Sequence, residues 1–424
     1  MPPEDLVLFR NIPLTDADTA GQTGVVDEPS ISNNGQQILV TGNWYASRSL
    51  DNGATWDYMS PYNTLPSASG GFCCDQLTLY DASRDLTFWF LQYVKENDSN
   101  TVRLAVKRGP TLGNNVWHWW DFTPESVGGW TDEWLDYPDM ALSNDFLFVT
   151  SNSFSTSGDN FVRSVALKIP LDDLERGETL DYQHWDTTEY GSLRLTRGAR
   201  DTMYFASNSR RMDRIRVWAW PEDSGNLSAH DVNVTQWHGG DYRPAGPDAT
   251  NWLERTDDRI TGAWVAEGEL GFMWTSNAGG QRPNPYIKVA RINEDDMTLI
   301  DEPDIWSQNA TFAYPEACPN VRGHIGVTLF YSSPTIPPSH VVGVRDDYSN
   351  QRWDLQFTKV GASGPRDDKW GDYLSCRQHS PDGLTWIATG FTLQGGNSRR
   401  DIEPRVVHFG RQRYRRAVDR WSQS

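Results

Sequence analysis

The stretch Asp136–Asn152, DYPDMALSNDFLFVTSN, sets two short apolar runs, MAL and FLFV, on either side of Ser-Asn-Asp. Short runs separated by Asn and Asp, which favour turns, read as two strands of a hairpin. The same pattern recurs six times. DEPSISNNGQQILVTGN starts at Asp27, CDQLTLYDASRDLTFWFLQY at Cys74 and SLRLTRGARDTMYFASN at Ser192. ITGAWVAEGELGFMWTSN starts at Ile260, EACPNVRGHIGVTLFYSS at Glu316 and DYLSCRQHSPDGLTWIATG at Asp372. The starts lie roughly 50 to 65 residues apart, the spacing of a repeat architecture.

Further strand-like runs follow each hairpin. NWYASRS and ATWDYM follow the first, VRSVALKIP the third, IRVWAWP the fourth and YIKVARIN the fifth. HVVGVRDD and WDLQFTKV follow the sixth. Units of four strands with no long amphipathic helix between them predict an all-β, seven-bladed β-propeller spanning residues 1–424 as one domain. A six-bladed ring is the alternative; a two-domain β-sandwich fits an even repeat poorly. The seventh unit supplies only DYLSCRQ, LTWIATGF and PRVVHFGR. The apolar N-terminal run Leu6–Pro13, LVLFRNIP, is expected to complete that last blade and cover its open edge.

The 57 acidic and 38 basic side chains give a net charge of -19, which argues against a nucleic-acid partner. No run is long and apolar enough to span a membrane. MPPEDLVLF lacks a basic segment followed by a long apolar one, so no signal peptide is visible. The expectation is a secreted, monomeric protein whose leader has been removed. Twenty tryptophans and sixteen each of Tyr and Phe are enough to fill the space between blades. Trp44-Tyr45 and Trp117-His118-Trp119-Trp120 are also candidate sugar platforms.

Ser49-Leu50-Asp51-Asn52-Gly53-Ala54-Thr55-Trp56 resembles the Asp box, S-x-D-x-G-x-T-W, of sialidase-like propellers that carry the bacterial neuraminidase repeat. Ser380–Trp386, SPDGLTW, looks like a version one residue shorter. Phe9-Arg10-Asn11-Ile12-Pro13 resembles the sialidase F-R-I-P motif with one residue inserted, and the insertion would turn Arg10 outward. Trp370-Gly371-Asp372-Tyr373 is similar to the WGDY segment of secreted propellers of this type. It also stands where a sialidase carries its late nucleophilic tyrosine. The resemblance implies the sialidase fold and a glycan ligand. The sialidase general acid has no counterpart in the usual setting: Asp16, Asp18, Asp27 and Glu28 fill that interval, so standard sialidase activity is not expected.

In a propeller the segments leading into the innermost strands converge on the axis. The repeat alignment therefore nominates the site. Glu28, Asp75, Asp136, Glu316, Asp372 and Tyr373 are the catalytic candidates. Paired carboxyl groups can protonate a leaving oxygen and activate water, and a Tyr beside an Arg can abstract a proton as in a polysaccharide lyase. Arg194, Arg259, Gln76, Tyr137, Asp139 and Trp44 are the candidate substrate-binding residues. So many carboxylates near one axis need protons or a cation, so calcium is the one cofactor suggested; no ligand set is legible. The partner expected is a glycan or polysaccharide. The function expected is a glycoside hydrolase or polysaccharide lyase, with a non-catalytic glycan- or protein-binding propeller as the alternative.

The alignment also draws the four cysteines toward the axis. Neighbouring units favour a Cys318–Cys376 bridge. Cys73 and Cys74 then form a vicinal disulfide facing the pocket, remain two thiols packed as small hydrophobes, or hold a soft metal.

Overall fold

The computed structural model describes residues 5–14, 21–350, 352–396, 398 and 400–421; Asp16 and Asp18 lie outside them. Seven four-stranded antiparallel meanders follow one another along the chain. Their innermost strands are Ser30–Asn34, Phe72–Asp81, Glu133–Leu142, Arg194–Leu195, Ile260–Ala266, Thr311–Pro319 and Ser375–Gln378. Each touches the innermost strand of the next blade, and that of blade 7 returns to that of blade 1. The chain is a seven-bladed β-propeller, as the seven-fold repeat predicts.

The ring closes as expected. Leu6–Pro13 is the outermost strand of blade 7, antiparallel to Ile402–Arg411, with Val7 opposite Gly410 and Ile12 opposite Val406. The strand bulges between Leu8 and Arg10. Arg10 lies on the outer edge and donates to the carbonyl of Asn52, so it has no part in the axis.

Large rings fill the gaps between blades because small residues make room for them. Trp264 of blade 5 lies over Gly271, where a Cβ would come within 2.0 Å of the ring. Trp386 of blade 7 lies against Gly326 of blade 6, where the same approach would be 2.5 Å. Trp386 joins Cys318, Val342, Cys376, Val407 and Phe409 in one buried cluster spanning the last two blades. Burying such side chains stabilises by about 1.5–3 kcal/mol each, so the seams between blades hold the ring together.

The Ser49–Trp56 turn joins the strands Ala46–Ser49 and Asp57–Met59. Thr55 donates to Asp51 through its N–H (2.8 Å) and hydroxyl (2.6 Å), and Gly53 N–H donates to Ser49 Oγ (2.7 Å). Asp382 makes a related turn in blade 7, accepting from the N–H groups of Leu384 (2.8 Å) and Thr385 (2.9 Å). Among the described residues, no helix is long and apolar enough to cross a membrane.

Candidate active site

The N-terminal ends of the innermost strands surround an open cavity of about 610 Å³ at one end of the axis. Glu28 reaches it from just before blade 1, Asp75 from blade 2, Asp136 and Tyr137 from blade 3, and Asp372 from just before blade 7. Arg255, Asp257 and Arg259, on the loop leading into blade 5, complete the wall with Trp44, Phe154 and Phe161. Bulges aim these groups inward. Register slips between Phe72 and Gln76 in blade 2, and between Asp136 and Asp139 in blade 3. A bulge bends its strand and redirects the side chain it carries. Tyr137 sits inside the second bulge at φ 56°, a left-handed conformation that an aromatic residue adopts at a cost.

The carboxyl groups are crowded and dry. Glu28 and Asp75 are both buried and line the same wall of the cavity, close enough for each to act on the other's charge. Ionising both would set two negative charges against each other in a dry site, which favours a proton on the pair. Burial pushes Asp75 well above the usual carboxylate range, and Glu28, Asp136 and Asp372 push it further the same way. Burial and Asp372 raise Glu28 to about 8, against the opposing pull of the Asn43 side chain and Arg255. Burial raises Asp136 as well, partly offset by the Gln92 amide, which donates to it at 2.8 Å. Asp372 instead faces two cations: Arg255 Nε lies 3.6 Å from it and Arg259 Nη1 3.8 Å. Arg259 is held by Asp257 (2.6 Å) and stacks over the Tyr137 ring at 4.6 Å. One wall therefore stores protons and the facing one carries guanidinium charge.

Several nominated residues lie elsewhere. Tyr373 is buried beneath the wall, edge-on to Tyr137 with ring centres 6.1 Å apart. Burial holds its phenol well above its usual pKa, which leaves it unsuited to act as nucleophile or base. The Gln76 amide is fully used inside the protein: it donates to the carbonyls of Gly42 (2.6 Å) and Tyr45 (3.0 Å) and accepts from the Trp89 indole (2.9 Å). It ties blade 2 to blade 1. Asp139, Arg194 and Glu316 lie deeper on the axis in a buried ion cluster with Arg197 and Arg377. Burial alone would raise Asp139, but Arg194 and Arg197 outweigh it and hold Asp139 at about 2. The cluster plugs the ring below the pocket. Trp117 is buried against Trp89, and Trp119 lies on the outermost strand of blade 2, so that tryptophan run is not part of the axial wall.

Cys73 and Cys74 form a vicinal disulfide, and Cys74 lines the pocket. Gly70 and Gly71 precede it at φ 79° and 74°, a turn that other residues enter with strain. The expected Cys318–Cys376 bridge is not formed. Both are buried free thiols, packed with Trp386 and Val407 as small apolar groups.

Sequence reasoning missed Arg255, Asp257 and Asn43. Arg255 and Asp257 stand in the loop before blade 5, whose length follows no repeat, so the alignment does not extend to them. Among the described residues, the one group of three His, Cys, Asp or Glu donors gathered within 4.8 Å is His379, Asp382 and His408, at the other end of blade 7's inner hairpin. His379 and Asp382 are paired with each other (2.6 Å), and His408 is paired with the hydroxyl of Thr385 (2.7 Å).

No protein-family model and no curated protein matches the chain. Solved structures do resemble it. One is a protein of unknown function from Dyadobacter fermentans, at 8% identity and TM-score 0.46, covering 96% of this chain and 99% of that one. A second is Trypanosoma rangeli sialidase in complex with the inhibitor DANA, at 10% identity and TM-score 0.42, covering 84% of this chain and 60% of that one. A third is the parainfluenza virus 5 hemagglutinin-neuraminidase ectodomain, at 11% identity and TM-score 0.42, covering 84% and 83%. At this distance the site is argued from its own residues.

Proposed function

We propose that the protein is a glycoside hydrolase acting at the axial pocket. The observation that carries this reading is the buried Glu28–Asp75 pair on the wall of an open cavity, where burial and mutual repulsion favour a protonated carboxylic acid at neutral pH. Breaking a glycosidic bond needs a proton for the departing oxygen and a carboxylate for water or the sugar carbon. Asp75 supplies the proton. Asp372, held between Arg255 and Arg259, is the carboxylate that activates water or attacks. Asp136, oriented by Gln92, stabilises the positive charge that develops on the sugar ring. Trp44 and Phe154 offer apolar faces for the ring itself.

Hydrolysis is preferred to elimination. The lyase reading of this pocket uses a tyrosine as the base, and burial pushes both Tyr137 and Tyr373 away from giving up a proton. A proton on the Glu28–Asp75 pair also relieves the like-charge crowding without a metal; calcium would compete with it for the same carboxylates.

The test is purified protein against a panel of aryl glycosides and acidic polysaccharides, following released sugar ends and the absorbance of unsaturated uronates. Hydrolysis that Asp75→Asn abolishes supports the proposal. Unsaturated products would transfer the pocket to lyase chemistry. Silence across the panel with glycan binding retained would leave a binding propeller.

A further inference from the structure

The buried plug of the axis is not neutral. Arg194, Arg197 and Arg377 share two carboxyl groups, Asp139 and Glu316, and every one of these side chains is at most 10% exposed. At least one positive charge is left over. Each nitrogen of Arg197 has a partner: Nε goes to Glu316 (2.9 Å), Nη2 to Asp139 (2.7 Å) and Nη1 to the carbonyl of Met140 (2.8 Å). That is not so of Arg377. Its Nη1 reaches Glu316 at a long 3.3 Å and the carbonyl of Cys376 at 2.8 Å, and its Nε, like that of Arg194, has no partner among the described residues; of the two, Arg377 is the one that lines a cavity. Burial and then Arg197 depress Arg377 to about 10, the mark of a guanidinium short of counter-charge.

Arg377 also lines a second cavity, of about 430 Å³, at the end of the axis opposite the carboxylate pocket. Among the described residues, no Asp or Glu lines it, although the chain carries 57 of them. Leu79, Ala141, Leu142, Pro319 and Pro381 make an apolar part of its wall, beside polar groups from Ser32, Asn33, Gln378 and Ser380. An apolar cavity with a few placed polar groups is the usual form of a small-molecule site. A bare inorganic anion would leave these walls unused, and a neutral apolar molecule would leave the surplus charge unmatched.

We propose that this cavity binds an organic monocarboxylate, with its charge on Arg377 and its apolar body against Leu79, Leu142 and Pro319. Guanidinium and carboxylate match in charge and in planar shape. The site is separate from the glycoside pocket and does not depend on that assignment.

Calorimetric titration of the intact protein at constant ionic strength tests it, with hexanoate, hexanamide and acetate as probes. Hexanoate should bind one to one, and about tenfold or more tighter than hexanamide, which lacks the charge, or acetate, which lacks the body. Ala82→Glu, at an exposed turn that also lines the cavity, should weaken hexanoate by a similar factor while leaving the fold intact. Arg377→Gln should do the same if it folds. Hexanoate binding no tighter than hexanamide, or unaffected by Ala82→Glu, overturns the proposal. Acetate or chloride binding as tightly as hexanoate overturns its organic part.

Discussion

Glu28 and Asp75 approach the axis from adjacent blades and meet, both buried, in the wall of one cavity. No strand register brings them together; the ring does, because the segments leading into consecutive innermost strands lie side by side at its mouth. Burial and mutual repulsion favour the protonated form of the pair at neutral pH. The chemistry of the pocket follows from this.

Asp75→Asn keeps the shape of the side chain but cannot donate a proton to a leaving group. Hydrolysis should fall by about 10²–10⁴-fold, the range for losing a general acid. Thermal stability should hold or rise, since a group crowded by like charges is removed. Steady-state kinetics beside a melting curve separate this outcome from simple unfolding.

The pair also makes stability depend on pH. Glu28 rises from 4.5 unfolded to about 8 folded, so the native state holds its proton longer. That contribution is fully present below about pH 4.5 and is lost as pH climbs to about 8. Melting temperature should drop across this window by on the order of 5 °C. Glu28→Gln, permanently neutral, should flatten the slope. An unchanged slope in the variant would place the titrating group elsewhere.

Glu316 neutralises parts of three buried guanidiniums. Glu316→Leu leaves them facing one another without it. Chemical denaturation should show a loss of about 3–5 kcal/mol, the usual cost of removing one partner from a buried ion pair. A surface pair such as Arg243–Asp241, both 70% exposed, should change stability by less than about 1 kcal/mol when broken.

Cysteine reactivity distinguishes the two pairs. Burial pushes the Cys318 and Cys376 thiols up, so they should be silent toward a thiol reagent in the native protein. Two thiols should titrate after unfolding without reductant and four with it. Four without reductant would remove the Cys73–Cys74 bond.

The ring, its seven blades and its closing strand were legible because hairpin patterning repeats along the chain and Leu6–Pro13 was left without a partner in its own unit. The carboxylates of the pocket were legible for the same reason: Glu28, Asp75, Asp136 and Asp372 each stand at the start of a unit. Alignment could not tell pocket from plug. Asp139 and Glu316 lie only slightly further along their strands, and bulges absorb the difference, so their depth is visible only in three dimensions. Nor could it foresee that the Gln76 amide is spent between blades, that Cys318 and Cys376 stay apart, or that Arg255 reaches in from a loop outside the repeat.

Infrared difference spectroscopy at pH 7, wild type against Asp75→Asn, bears most directly on the central claim. The account predicts protonated-carboxyl absorption in the wild type that drops in the variant by the share of one group, with the Glu28 band remaining. A wild-type spectrum with carboxylate bands alone would contradict it, because Asp75 would then have no proton to give.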